Sequence, residues 1–337
     1  MRKTLRNIAL ATCLMTALPV YAQSSPGGLS LPQNLSDVTS QRVHDERLDT
    51  LYNPWLTAGP ILGNNSKLGL AGRTNSYTKI VIKGHRDITT FLYFPSHVSN
   101  AEIPVVIVST QYDTSPVAYN VLFNHLASQG YLVIAPLHQD VSYNSTNVKT
   151  DEDTQSRIND IHDMIRSIPI VKNMTHMNIS PNYSLVGFHD GDYDCLMNSG
   201  LPSDNPKITA WPGAPQSITL VSPVEGDIPQ SFANLSTPVM AVSTIDGLNI
   251  QKGILAQMPE DGIRLLVAFD GFNDPLMSIS DETIDKTFMW KSLLTTWLNA
   301  TMMKDMKAFD AFKNQDFEQH SNGVIKTQIE IAKNPGQ

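Results

Sequence analysis

The densest chemistry in the chain is the run His189-Asp190-Gly191-Asp192-Tyr193-Asp194-Cys195, where an imidazole, three carboxylates at alternate positions and a thiol follow one another. Alternating carboxylates suit a calcium loop, which also needs a Gly at its sixth position for the sharp turn and a Glu at its twelfth to chelate the ion. Here the sixth position is Cys195 and no Glu stands at the twelfth, so the match fails. Carboxylates at the start of a helix complement its dipole, and that is the role expected of these three. An imidazole can itself attack an electrophile and form a covalent intermediate, so His189 is the first residue to place. Cys195 has no neighbouring base to activate it and is expected to pack inside the fold. His162, within Asp160-Ile161-His162-Asp163, is expected on the solvent side of its helix.

Positioning such groups takes a frame, and the apolar pattern supplies one. Residues 77–83 and 87–94 alternate with the period of strands around Gly84, which predicts an N-terminal β-hairpin. Residues 104–109 (PVVIVS) are a short β-branched run of the kind a strand buried on both faces requires. Val117, Val121, Leu122 and Leu126 fall on one helical face that Gly130 ends, and 131–135 is a further buried strand closed by Pro136. Ile158, Ile161, Ile165 and Ile168 mark a second amphipathic helix. Strands follow at 183–187, 218–222, 238–243 and 264–269, the last of them. A long helix over 286–306 spaces Trp290, Leu293, Leu294 and Trp297 to pack on the sheet. Buried strands alternating with helices predict an α/β fold with a doubly wound, mainly parallel sheet, whose chemistry sits at the carboxyl ends of the strands.

At 337 residues and 41% hydrophobic, the chain can bury a sizeable core; disorder, collagen and coiled coil are excluded. A formal charge of −8 supplies no positive field for a phosphate backbone, so nucleic acid is not an expected partner. Residues 1–22 have the form of a signal peptide: Arg2, Lys3 and Arg6 precede an apolar stretch over 8–18, and Val20-Tyr21-Ala22 offers a cleavage site before Gln23. Cleavage takes the formal charge to −11 and removes Cys13, leaving Cys195 without a disulfide partner. No other apolar run reaches about 18 residues, so no transmembrane segment is expected in the exported chain, whether its destination is periplasmic or extracellular. Residues 23–75 read as an irregular lead-in, 76–312 as the α/β domain and 313–337 as a C-terminal tail.

Several stretches, in order, resemble the α/β-hydrolase superfamily, and within it the dienelactone hydrolase, chlorophyllase and platelet-activating factor acetylhydrolase branch. They are Ile103 to Ser109, Leu126 to Pro136 with His138, Leu185-Val186-Gly187, Thr219 to Pro223, Thr237-Pro238-Val239 through Asp246, and Phe269-Asp270-Gly271. The resemblance implies the α/β-hydrolase fold and a nucleophile on a strained turn of pattern G-x-S-x-G. Here that pentapeptide is Gly187-Phe188-His189-Asp190-Gly191, with His189 where the family has Ser. The position of the triad's acid is Asp246, which is kept, and that of its base is Asp274 in place of His. The family's glycine-rich oxyanion loop corresponds to Ser109-Thr110-Gln111-Tyr112-Asp113-Thr114, so the oxyanion-hole N–H groups would be those of Tyr112 and Asp190. In the family His138 would be a structural strand-end residue.

With nucleophile and base both replaced, Ser-His-Asp chemistry loses orders of magnitude. The expectation is therefore an exported pseudohydrolase that keeps a strand-end pocket for a small-molecule or lipid-like ligand, acts as a binding or accessory protein, and needs no cofactor. Two alternatives stay open: an ester or lipid hydrolase with a non-standard site, and a metal-dependent enzyme using His189, Asp246 and Asp274. Nothing in the sequence identifies a protein partner.

Overall fold

A computed structural model describes residues 75–95, 102–141, 148–222, 232, 235–244, 252–253, 256–259, 262–270, 284–321 and 325–330. Residues 1–22, read as a signal peptide, the lead-in up to residue 74, Asp246 and Asp274 lie outside the described residues.

The strands are β1 (Asn75–Lys83), β2 (Asp87–Pro95), β3 (Ile103–Ser109), β4 (Leu132–Pro136), β5 (Ile179–Phe188), β6 (Ile218–Val221), β7 (Val239–Thr244), β8 (Arg264–Phe269) and β9 (Ile325–Glu330). The helices are α1 (Asn120–Ser128), α2 (Asp151–Thr175), α3 (Asp190–Met197), α4 (Ile284–Met302), α5 (Met306–Lys313) and α6 (Asp316–His320). The strands form one mixed sheet in the order β1-β2-β4-β3-β5-β6-β7-β8-β9. The ladders from β4 through β8 are parallel, and those of β1 with β2, β2 with β4, and β8 with β9 are antiparallel. This is an α/β fold on a mostly parallel sheet.

Alternate side chains of the central strands face opposite layers. Val106, Val108, Val133 and Val186 join Leu122, Phe123, Trp290, Leu294, Trp297 and Phe312 from α1, α4 and α5. Val105, Ile107, Leu185 and Leu220 join Ile158, Ile161 and Met164 of α2 and Leu196 of α3. With helices on both faces, β3 and β4 are buried along their whole length, which is why they read as near-continuous apolar runs. Each such large apolar side chain contributes about 1.5–3 kcal/mol on burial.

Two elements extend past what periodicity predicts. The helix marked by four isoleucines runs over Asp151–Thr175. It starts at a capping box in which Thr150 Oγ1 accepts the Asp153 N–H at 3.1 Å and Asp153 Oδ2 accepts the Thr150 N–H at 3.1 Å. Residues 313–337, read as a tail, contain α6 and the edge strand β9, which pairs with all of β8 from Arg264 opposite Glu330 to Phe269 opposite Ile325. A short edge strand flanked by polar residues carries a weak periodic signal, whereas the ladder it completes is tertiary.

The connections place the site. From β3 the chain moves one way to β4, then crosses back through α2 to β5 on the other side of β3. The carboxyl ends of β3 and β5 therefore lie side by side, with Ser109 opposite Gly187, and the two loops that leave them diverge. That is the topological switch point, where open parallel sheets form a crevice.

Candidate functional site at the strand ends

β5 passes into α3 through His189, whose backbone has φ 51° and ψ −112°. Such a conformation costs a non-glycine residue on the order of 1–3 kcal/mol and persists only when its surroundings over-determine it. They do so here. The His189 N–H donates to the Val221 carbonyl at 2.8 Å, and its own carbonyl accepts the Asp192 N–H at 3.0 Å. A Cβ on Gly187 would lie 2.5 Å from the Asp192 backbone, and one on Gly191 would lie 2.3 Å from the Ser109 carbonyl oxygen. The two glycines are the only residues the bend can accommodate at those positions, and it leaves the imidazole half-buried at the crevice.

Opposite the bend runs the loop after β3. The Tyr112 N–H donates to Asp190 Oδ2 at 3.3 Å, and Lys149 Nζ donates to Asp190 Oδ1 at 2.9 Å. Burial pushes the Asp190 carboxyl up, but the Lys149 ammonium and the Tyr112 N–H outweigh it and hold the group below its ordinary range. The Tyr112 loop thus meets the residue that follows His189. The Tyr112 N–H, however, is directed at a side-chain carboxylate rather than held open. Asp113 takes φ 56° and donates its N–H to Asp140 Oδ2 at 2.9 Å.

Behind the loop lies a buried polar cluster that sequence reasoning missed. Arg157 of α2 donates through Nη1 to Asp140 Oδ2 at 2.7 Å, through Nε to Asp194 Oδ2 at 3.0 Å, and through Nη2 to Ser109 Oγ at 3.3 Å and to the Thr110 carbonyl. Ser109 Oγ also lies 2.7 Å from Asp194 Oδ2 and 3.0 Å from His138 Nε2, and His138 Nδ1 lies 2.9 Å from Asp160 Oδ2. Arg86, from the turn between β1 and β2, closes the set on Asp160 and the Leu137 carbonyl. The available signal was a charge on an apolar stripe: Arg157 stands one turn from Ile161 on the buried face of α2.

Ser109, His138 and Asp160 have the connectivity of a hydroxyl–imidazole–carboxylate relay. The hydroxyl is nonetheless sealed at 0% exposure, faces the Asp194 carboxylate and accepts from a guanidinium. A nucleophile must reach its substrate and pass its proton to the imidazole, so this relay belongs to the scaffold. His138 is accordingly a buried structural residue at a strand end.

Asp190 and Asp192 stand in the first turn of α3, and Asp192 and Asp194 are in addition fully buried. Asp192 Oδ1 accepts the Val221 N–H at 2.9 Å, and burial drives its carboxyl well above the ordinary value. Asp194 pairs with Arg157. His162 is half-buried on α2 and stacks on Trp211, ring centroids 4.1 Å apart, where the 201–216 segment packs against the helix. Cys195 is buried as expected, and its thiol is driven well above its ordinary range by burial and by Asp192 and Asp194.

Among the described residues no group of three His, Cys, Asp or Glu side chains is placed to hold a metal ion, and no helix is long and apolar enough to cross a membrane. Neither a family model nor a curated protein matches the chain.

Proposed function

We propose that the chain is an exported protein of the α/β-hydrolase fold, entered through an N-terminal hairpin, that has given up serine-hydrolase turnover and binds a small-molecule or lipid-like ligand at its strand ends. One observation carries the reading: the strained strand-to-helix bend, with glycines packed tight on both sides, presents the imidazole of His189. A bend of that kind normally serves to expose a hydroxyl. Two further features support it. The Tyr112 N–H is taken by Asp190, which leaves no empty donor pair for an oxyanion. Among the described residues, the Ser hydroxyl that meets a His ring, that of Ser109, is enclosed.

The test is direct. Protein lacking residues 1–22 is expected to hydrolyse short-chain p-nitrophenyl esters no faster than buffer and to resist a fluorophosphonate probe. Turnover abolished by His189→Ala, or covalent labelling at any serine, would replace this reading with that of an active enzyme. The double change His189→Ser with Asp274→His is the constructive arm, and esterase activity gained by it would support the assignment of both positions.

A further inference from the structure

The cluster beneath the bend has a charge count that its hydrogen bonds resolve. Three carboxylates, Asp140, Asp160 and Asp194, meet two guanidiniums, Arg86 and Arg157. All but Arg86 have side chains at 1% exposure or less, and Arg86 stands at 23%. An uncompensated charge at such depth is strongly unfavourable. The neighbouring groups do not supply the missing positive charge. His85 and Asp163 form their own pair at the rim, Nδ1 to Oδ2 at 2.8 Å, although His85 Nε2 also stands 3.6 Å from Asp160 Oδ1. Lys149 pairs with Asp190. Asp192 and Cys195, buried beside Asp194, are both pushed towards their neutral forms by burial.

The hydrogen bonds indicate where the charge sits. Ser109 has a single proton. Its Oγ faces Asp194 Oδ2 at 2.7 Å, which as a carboxylate only accepts, and Arg157 Nη2 at 3.3 Å, which only donates. The serine proton is therefore directed to Asp194, and the 3.0 Å contact to His138 Nε2 is completed by a proton on the ring. Across the ring, Nδ1 lies 2.9 Å from Asp160 Oδ2, a second pure acceptor. With both carboxylates ionised, both ring nitrogens donate.

We propose that His138 is a buried imidazolium, the third cation of a charge-neutral cluster, and that the crevice above depends on its proton. The dependence is structural. Arg157 holds the Thr110 carbonyl, Asp140 holds the Asp113 N–H, and Gly191 packs so close to the Ser109 carbonyl that an added Cβ would lie 2.3 Å from it. One cluster thus carries both the Tyr112 loop and the His189 bend. Loss of the proton leaves three buried carboxylates against two cations and loosens both. This holds whatever the crevice binds.

Nitrogen-15 spectra of the histidine rings in the full-length protein, assigned with His138→Gln, test the proton directly. The expected result is two protonated ring nitrogens on His138 at about pH 7. One unprotonated nitrogen in the folded protein would place the proton on a carboxylate and overturn the proposal. A second measurement reads the charge balance. His138→Gln, which removes one positive charge from the cluster, is expected to lose resistance to urea. Adding Asp194→Asn, which removes one negative charge, is expected to raise its folding equilibrium constant by about tenfold over the single variant. A double variant no more stable than the single one would also overturn it.

Discussion

The backbone N–H of Tyr112 donates to the carboxylate of Asp190 across 3.3 Å, so a donor placed to meet an anion at the crevice already holds one belonging to the chain itself. The same carboxylate takes the Lys149 ammonium on its other oxygen at 2.9 Å.

Asp190→Asn keeps an acceptor for Tyr112 and removes the partner of Lys149. It is expected to destabilise the fold by about 1 kcal/mol at neutral pH. The folded carboxyl lies below its ordinary value of 3.8, because Lys149 and the Tyr112 N–H outweigh burial. Its contribution is therefore present above that value and lost as pH falls through the folded pKa. Urea titrations of both proteins at neutral and strongly acid pH check this: the gap between them should close on the acid side.

Gly191→Ala is expected to cost about 3 kcal/mol or more, because the new Cβ would stand 2.3 Å from the Ser109 carbonyl and backbone must move. Gly253→Ala, with no atom within 4 Å of the added carbon, should stay within about 0.5 kcal/mol of the parent. Thermal denaturation of the pair separates them; equal effects would mean the bend is not packed against β3.

Arg157→Met leaves Asp140 and Asp194 buried without their cation and is expected to cost about 3–5 kcal/mol. Lys207→Met breaks an ion pair of the same 2.7 Å length, but one at the surface with Asp151, and should leave the unfolding midpoint unchanged. Comparable losses in the two variants would refute the assignment of Arg157 as the hub.

Asp192 is held well above 3.8 by burial first, with Asp194 and Asp190 adding to it and the Val221 N–H opposing. The stability of its neutral form is complete below 3.8 and is lost as pH rises through the folded pKa. Asp192→Asn, neutral throughout, should therefore gain on the parent as pH increases. Urea midpoints followed from acid to alkaline pH measure the difference, and parallel profiles would exclude a neutral Asp192.

Local pattern carried much of the frame. Residues 104–109 and 131–135 read as doubly buried strands because their runs are almost wholly apolar, and both are enclosed. The pair Gly187 and Gly191 marked a bend around His189 for a reason equally local: atoms within a few residues, and one strand away, leave no room for a Cβ. Strand β9 was illegible because its stability comes from the ladder with β8 rather than from its own residues.

By itself, then, the sequence determined an alternation of buried strands and helices, a mostly parallel α/β sheet, and an imidazole set between two glycines at a strand end. These follow from side-chain periodicity and backbone sterics, which act over short stretches of chain. What only the tertiary structure decided is the partnership of Arg86, Ser109, His138, Arg157 and Asp194, and the turn of Asp190 onto Tyr112. Those residues come from separate segments, and charged side chains at such spacings look like solvated surface until the fold buries them together. Burial then favours partners for most of these polar atoms, and the choice of partner is made by whichever strands and helices the topology has brought alongside.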